Sequence, residues 1–332
     1  MDIRNPKNLR SFAAQRLEGH PNAPKIVLIF ALIAIGLAAL TTAINYGIGL
    51  YISTLGGLGN MGLRSILSTT QTVLPLVQSM VLLCVELGYI STMLRISRGQ
   101  YASPNGLRLG FDRFWVLLRT TLITAFIYIS MGFGAVYLAV SLFAMSPFSA
   151  KAMEILTPLV SQTSLLNNAI VLDDATYAQL VSAMVPAFIF CGILCLVFVG
   201  PVFYSYRMVN YILIDKPGIG ALNALRMSKI MMRGNRLALL KLDLRLWWYH
   251  AASAAAVVLC YGDAITPMLG ITLPWSPDVS YFLFFALYLA AQFAIYYFLR
   301  NPVEVTYALA YDAIKPEEKQ DNGVVLGNIF QM

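Results

Sequence analysis

Six stretches of this sequence are apolar for longer than a strand or core helix of a water-soluble protein requires. They lie at about 26–53, 68–95, 114–145, 181–214, 238–262 and 279–300. A helix crosses the ~30 Å hydrocarbon core of a bilayer with about 20 residues, and only a structure that satisfies its own backbone groups is stable inside that core. The runs therefore predict an all-α, polytopic membrane protein with about six transmembrane helices. Composition points the same way: 58% of residues are hydrophobic and 12% charged, against roughly 45–50% and 25% in soluble domains. The runs and their connections use up the 332 residues, so a single membrane domain over 1–332 is expected. The first run begins near Lys25 and exceeds the roughly 7–15 apolar residues of a cleavable signal, so it reads as a retained span.

The net charge of +7 is informative through its distribution. Arg4, Lys7, Arg10, Arg16 and Lys25 precede the first run. Arg95, Arg98, Arg108, Arg113 and Arg119 follow the second, and Lys216, Arg226, Lys229, Arg233, Arg236 and Lys241 follow the fourth. Arg300, Lys315 and Lys319 close the chain, while the intervening loops hold only Arg64 and Lys151. Basic residues mark the cytoplasmic side, so both termini are expected inside, which independently calls for an even number of spans. The cations sit in short loops rather than on a folded polar domain, which argues against nucleic acid as a partner.

The inner segments carry helical patterns of their own, at about 6–19, 103–113, 219–232 and 302–314. Asn5-Pro6 reads as an N-cap and first turn before the stripe Leu9, Phe12, Ala13, Leu17. Ser103-Pro104 opens a second segment, and Leu222, Leu225 and Met232 face Asn223, Arg226 and Lys229 in a third. Asn301-Pro302-Val303-Glu304 reads as N-cap, first turn and capping carboxylate of a fourth. Short basic amphipathic helices suit the headgroup boundary, where anionic lipids attract Lys and Arg. Packing on the inner end of the bundle is the other reading. On the outer side the long connection at 146–180 combines Met153, Leu156, Leu159 and Val160 with Asn167, Asn168, Asp173 and Asp174.

Few groups inside the runs carry chemistry. Cys191 and Cys195 share a helix face, but no His or carboxylate is spaced to complete a metal site, and Cys84, Cys191, Cys195 and Cys260 read as packing residues. Glu86 lies well inside the second run, where a carboxyl group costs roughly 2.5–3.5 kcal/mol on insertion scales for the related Asp. It needs a partner, a proton or water. Gln71 and Gln78 fall near its face, and Arg207 of the fourth run is the expected counter-charge, with Asn210 close by. In the sixth run Tyr288, Gln292, Tyr296 and Arg300 recur every four residues as a polar stripe. Glu86, Gln78, Arg207, Asn210, Tyr288 and Gln292 are thus the candidate intramembrane polar site. They line an ion or substrate path, or they form a buried Glu86–Arg207 pair with interhelical hydrogen bonds, or Glu86 and Arg207, toward the inner halves of their runs, snorkel to the cytoplasmic interface.

No nucleotide loop, dinucleotide fingerprint, zinc-protease motif or nucleophile elbow is present, and His20 and His250 stand alone. The expectation is a non-enzymatic membrane protein without cofactor or metal, acting through anionic headgroups at the cytoplasmic face or a membrane-protein partner. The alternative is a small transporter or channel with a polar path around Glu86. An intramembrane lipid-modifying enzyme is a third and weaker option.

Three segments together resemble a family of bacterial integral membrane proteins of unknown function, DUF975. Arg98-Gly99-Gln100 followed by Leu107-Arg108-Leu109-Gly110-Phe111 is similar to that family's RGE…LFxGF loop. The stretch ALNALRMSKIMMRGNRLALLKLDL at 221–244 resembles its ALxxSxxxMKGNKxxLFxLxL segment, with Ser228, Met232, Gly234, Asn235, Arg236 and Asp243 on matching positions. Asn301-Pro302 through Tyr311-Asp312 resembles its closing NPY…FYE helix. Gln100, Arg108 and Val303 depart from the pattern, and Leu17-Glu18-Gly19-His20 matches poorly, so the likeness covers roughly 95–315. It implies an all-helical membrane fold in a bacterial plasma membrane and no particular reaction.

Overall fold

The computed structural model describes residues 6–54, 61–155, 157, 174–268, 271 and 273–316. Every regular element among them is helical: α1 (Pro6–Glu18), α2 (Ala23–Thr54), α3 (Met61–Ser97), a 3₁₀ turn (Pro104–Arg108), α4 (Leu109–Asp112), α5 (Phe114–Ala144), a short stretch at 148–155, α6 (Asp174–Tyr206), α7 (Val209–Asp215), α8 (Ala221–Met231), α9 (Arg236–Arg245), α10 (Trp247–Cys260), α11 (Gly262–Met268), α12 (Pro277–Ala294), a π-helical segment (Ile295–Arg300) and α13 (Asn301–Ile314). The polar outer-connection residues Asn167, Asn168 and Asp173, and with them Leu156, Leu159 and Val160, lie outside the described residues.

Five helical stretches are long and apolar enough to cross a membrane: Ala23–Thr54, Met61–Ser97, Phe114–Ala144, Ser182–Asp215 and Asp278–Ile314. The run at 238–262 differs from expectation. It breaks at Leu246 and again at Tyr261, leaving helices of 10, 14 and 7 residues. Arg236, Lys241, Asp243 and Arg245 make α9 too polar for hydrocarbon, so the apolar part begins only at Trp247. At 1.5 Å per residue α10 alone reaches ~21 Å, short of a bilayer core.

The chain forms two compact units, residues 1–118 with 208–332, and residues 119–207. In the first unit α3 pairs with α2, and the α12–α13 rod packs against both. Helix α1 lies on α13 and α3, while the 3₁₀ turn, α4 and α7 lie against α3; α8 packs on α7, and α10 and α11 on α12. Burial gathers at one end. Twelve of the fourteen residues from Cys84 to Ser97 are buried and none from Met61 to Leu83, so one helix changes surroundings halfway along. The buried residues of α2 cluster between Ala23 and Ala34, and nine of the fourteen residues of α13 are buried. The start of α2 and the ends of α3 and α13 thus form a solid hub.

The second unit is built from α5, from Arg119 onward, and α6. Phe143, Ala152 and Ala183 make a small core with Ile155, Met184, Ala187 and Phe190. Tyr128 lies 6.2 Å from Phe203 and 6.5 Å from Tyr206, ring centre to ring centre. Phe126, Phe133, Tyr137, Phe188 and Leu196 face outward.

Candidate functional site

The hub begins where α3 stops. Gly99 takes φ +72°, a left-handed conformation that glycine adopts without a Cβ penalty. Its N–H donates to the Ile96 carbonyl and that of Gln100 to the Arg95 carbonyl, both at 2.9 Å, the paired bonds of a Schellman end. The chain then doubles back along α3. A Cβ on Gly110 would overlap the Cys84 carbonyl, so only glycine lets α4 lie this close. Arg113 donates to the Leu213 carbonyl and closes the end of α7 on the same block.

Arg300 is the centre of the hub. Pro302 lacks an N–H and its ring crowds the carbonyl four residues back, and the helix answers with the wider turn of Ile295–Arg300 rather than with a break. Arg300 Nη2 donates to Glu86 Oε1 at 2.8 Å. Its guanidinium lies 4.3, 5.0 and 5.1 Å from the ring centres of Phe30, Tyr89 and Tyr296. The Arg300 side chain is 8% exposed and that of Glu86 41%. The next residue ties three helices together: the Tyr89 hydroxyl donates to Asn301 Oδ1 at 2.6 Å, and Asn301 Nδ2 donates to the Ala23 carbonyl at 3.2 Å.

Two expectations change here. The ionic partner of Glu86 is Arg300 and not Arg207, which stands in the other unit with its guanidinium 5.2 Å from the Phe203 ring centre. Asn301 does not cap a new helix, because the chain arrives already helical and its side chain is free to bridge α2 and α3. Glu304 accepts from the Tyr211 hydroxyl at 3.3 Å instead of capping.

A second polar cluster sits one helix end away. Arg98 grips Asp312 through Nε (3.0 Å) and Nη2 (2.6 Å) and donates Nη1 to Asp215 at 2.8 Å. Asp215 also accepts from Lys315 Nζ and, at 3.1 Å, from the Tyr311 hydroxyl, whose ring stacks 5.3 Å from Tyr211. The hydrogen bonds to Asp312, then the one to Asp215, hold the Arg98 guanidinium above its ordinary pKa despite partial burial. The bidentate fork is the geometry in which Arg binds carboxylates most firmly.

The other singled-out residues fall as follows. Gln78 is half-buried on α3, about two turns from Glu86, and Asn210 is half-buried in α7. Gln292 is buried in α12, and Tyr288 lies 6.1 Å from Phe285. Phe111 is exposed and Ser228 fully buried. Gly234 takes φ +89° between α8 and α9, and Asn235 Nδ2 donates to the Met231 carbonyl at 2.9 Å, closing α8. Arg236 opens α9, and Asp243 accepts from the Tyr307 hydroxyl at 2.5 Å, joining α9 to α13. Asp215, Lys315 and Tyr211 were not foreseen. The available signal was charge: an Arg opens the first family-like motif and an Asp closes the third.

The described hub couples its ionised side chains to one another, and among the described residues no group of three His, Cys, Asp or Glu is placed to hold a metal ion. Fold and site define a helical membrane protein whose polar groups are organised as ties between helices. Over residues 1–318 the chain matches the model of a family described as protein of unknown function (DUF975), and it belongs to that family. The match extends through the N-terminal part, including Leu17-Glu18-Gly19-His20, which lies outside the three motifs. Neither curated proteins nor solved structures yield a match.

Proposed function

We propose that this is a non-enzymatic, multi-pass protein of a bacterial plasma membrane that works from its cytoplasmic face, through anionic lipid headgroups and a membrane-protein partner. The carrying observation is the two-faced build of α8 and α9. Ala224, Leu225, Ser228, Met231, Leu239 and Leu242 are buried. The opposite side exposes Arg226, Lys229, Arg233, Lys241 and Arg245, interleaved with exposed Leu222, Ile230, Leu237, Leu244 and Trp247. Leu222 thus leaves the inner stripe expected for it. Cations among apolar side chains suit the headgroup boundary of an anionic leaflet.

In this reading the chain crosses six times with both ends inside. Helices α10 and α11 act in tandem as the remaining crossing, 22 residues from Trp247 to Met268 and ~33 Å long. Both pack on α12, and Gly262 lies so close to it that a Cβ would overlap the Phe284 ring. The packing of α1 on α13 supports both termini on one side, and the basic residues around the hub support the cytoplasm as that side. The Glu86–Arg300 pair supports a structural role for Glu86 over a transport path. Purified from membranes, the protein should retain phosphatidylglycerol or cardiolipin above bulk composition by native mass spectrometry, and Arg226→Gln/Lys229→Gln/Arg233→Gln should lose it. Bulk lipid composition in the wild-type protein would overturn the reading. Unchanged proton or cation flux by Glu86→Gln in liposomes would count against the transporter alternative.

A further inference from the structure

Where the helices of the hub meet, cations are neutralised by the protein's own carboxylates. Arg98 is shared between Asp215 and Asp312, Lys315 meets Asp215, and Arg300 meets Glu86. The corner where α8 leads into α9 is different. No Asp or Glu occurs from Lys216 to Leu242, and among the described residues Arg226, Lys229 and Arg233 take part in no ion pair. All three are exposed.

Burial fixes which way these cations point. Ala224, Leu225, Ser228, Met231 and Met232 are buried, so the other side of α8 is held outward. Arg226 and Lys229 stand on that side, three residues apart. Arg233 follows just past the end of the helix, where its N–H donates to the Ile230 carbonyl at 3.1 Å and keeps the chain turning. Seven residues make about two helical turns, so Arg233 returns to the side of Arg226, ~10 Å further along. Leu222 and Ile230, one turn before and one turn after Arg226, are exposed on the same side.

A row of unpaired cations on a fixed face favours an anion whose charges are also spread out. A headgroup with two phosphodiesters meets two of the cations in one association, because the first contact holds the second phosphate at high effective concentration. A phosphomonoester gathers its charge at one point and leaves the far end of the row unmet. Leu222 and Ile230 favour a lipid over a soluble polyphosphate, since acyl chains can lie against them. We infer that Arg226, Lys229 and Arg233 form a site for a lipid that carries two phosphodiester groups on one headgroup, for which cardiolipin is the probe. The inference rests on the headgroup reading given under the proposed function and adds which headgroup is preferred.

The test titrates the full-length protein in detergent with cardiolipin, phosphatidylglycerol and phosphatidic acid at equal phosphate, with bound lipid counted by native mass spectrometry. Cardiolipin should half-saturate at least tenfold below both others. Arg226→Gln/Arg233→Gln removes the two ends of the row and should bring cardiolipin to within threefold of phosphatidylglycerol; both side chains are exposed, so the variant folds. Lys241→Gln/Arg245→Gln removes as much charge from α9 and should keep the tenfold preference, which separates a site from bulk attraction. Equal saturation by phosphatidylglycerol or phosphatidic acid, an undiminished preference in Arg226→Gln/Arg233→Gln, or the same loss in the α9 variant would overturn the inference. Enrichment of phosphatidylglycerol and cardiolipin alike removes this inference and leaves the headgroup reading standing, whereas bulk composition for every anionic lipid removes both.

Discussion

Between Cys84 and Ser97 the first unit surrounds α3 with protein on nearly every side, whereas α5 and α6 of the second unit meet along a seam and leave Phe126, Phe133, Phe188 and Leu196 facing out. Both regions draw on the same apolar residue types. In lipid, however, an apolar side chain gains little by leaving the bilayer for a neighbouring helix, so association rests on close packing and interhelical hydrogen bonds. The hub has both, in the Gly110 approach to Cys84 and in Arg300, Asn301 and Arg98. The second unit has small residues, Ala135, Ala139 and Ala183, buried where it packs. The contrast teaches that hydrophobicity suits both regions to a membrane, while in the hub close glycine contacts and interhelical polar ties are added to it.

The sharpest way to break this comparison is a pair of glycine substitutions. Gly110→Val should cost on the order of 3 kcal/mol or more, because backbone rather than a side chain must move. Gly132→Ala in α5, where a Cβ meets nothing within 4 Å, should be neutral in detergent melting curves; equal losses would mean the two units are packed alike. Next in size is Glu86→Leu, which leaves Arg300 without its carboxylate. A fully buried pair loses ~3–5 kcal/mol when one partner goes. The 41% exposure of Glu86 brings the expectation to about 2 kcal/mol, and Glu86→Leu/Arg300→Met should recover part of it in a double-mutant cycle. Tyr89→Phe removes the bond to Asn301 and should cost about 1–2 kcal/mol, read as a fall in melting temperature. Arg98→Lys keeps the charge and loses the fork on Asp312; with side chains 27% and 29% exposed, about 1 kcal/mol is expected. Phe133→Leu, on the outward side of α5, should shift stability by no more than ~0.5 kcal/mol.

The candidate site was half legible beforehand. Glu86 announced itself because a carboxyl in an apolar run must be neutralised, and the four-residue recurrence of Tyr288, Gln292, Tyr296 and Arg300 already pointed at Arg300. Choosing Arg207 instead was a choice between two arginines that composition and period cannot rank. Asn301 was misread for a similar reason. Asn-Pro before an acidic residue is a sound capping pattern, but whether a helix starts there depends on whether the chain arrives helical, and the π turn supplies that.

By itself the sequence determined what each stretch suits: long apolar runs suit lipid, basic segments suit a polar boundary, and residues 1–318 carry the family pattern. Those properties are local, set by residue type and by period along one helix. Tertiary structure alone decided which helices touch. It made Arg300 the partner of Glu86, gathered Arg98, Asp215, Asp312 and Lys315 into one cluster, and divided 238–262 into separate helices. The physical reason is that a pairing between residues 100 or more positions apart depends on the packing of whole helices, and lipid exerts little pull that would favour one apolar face over another.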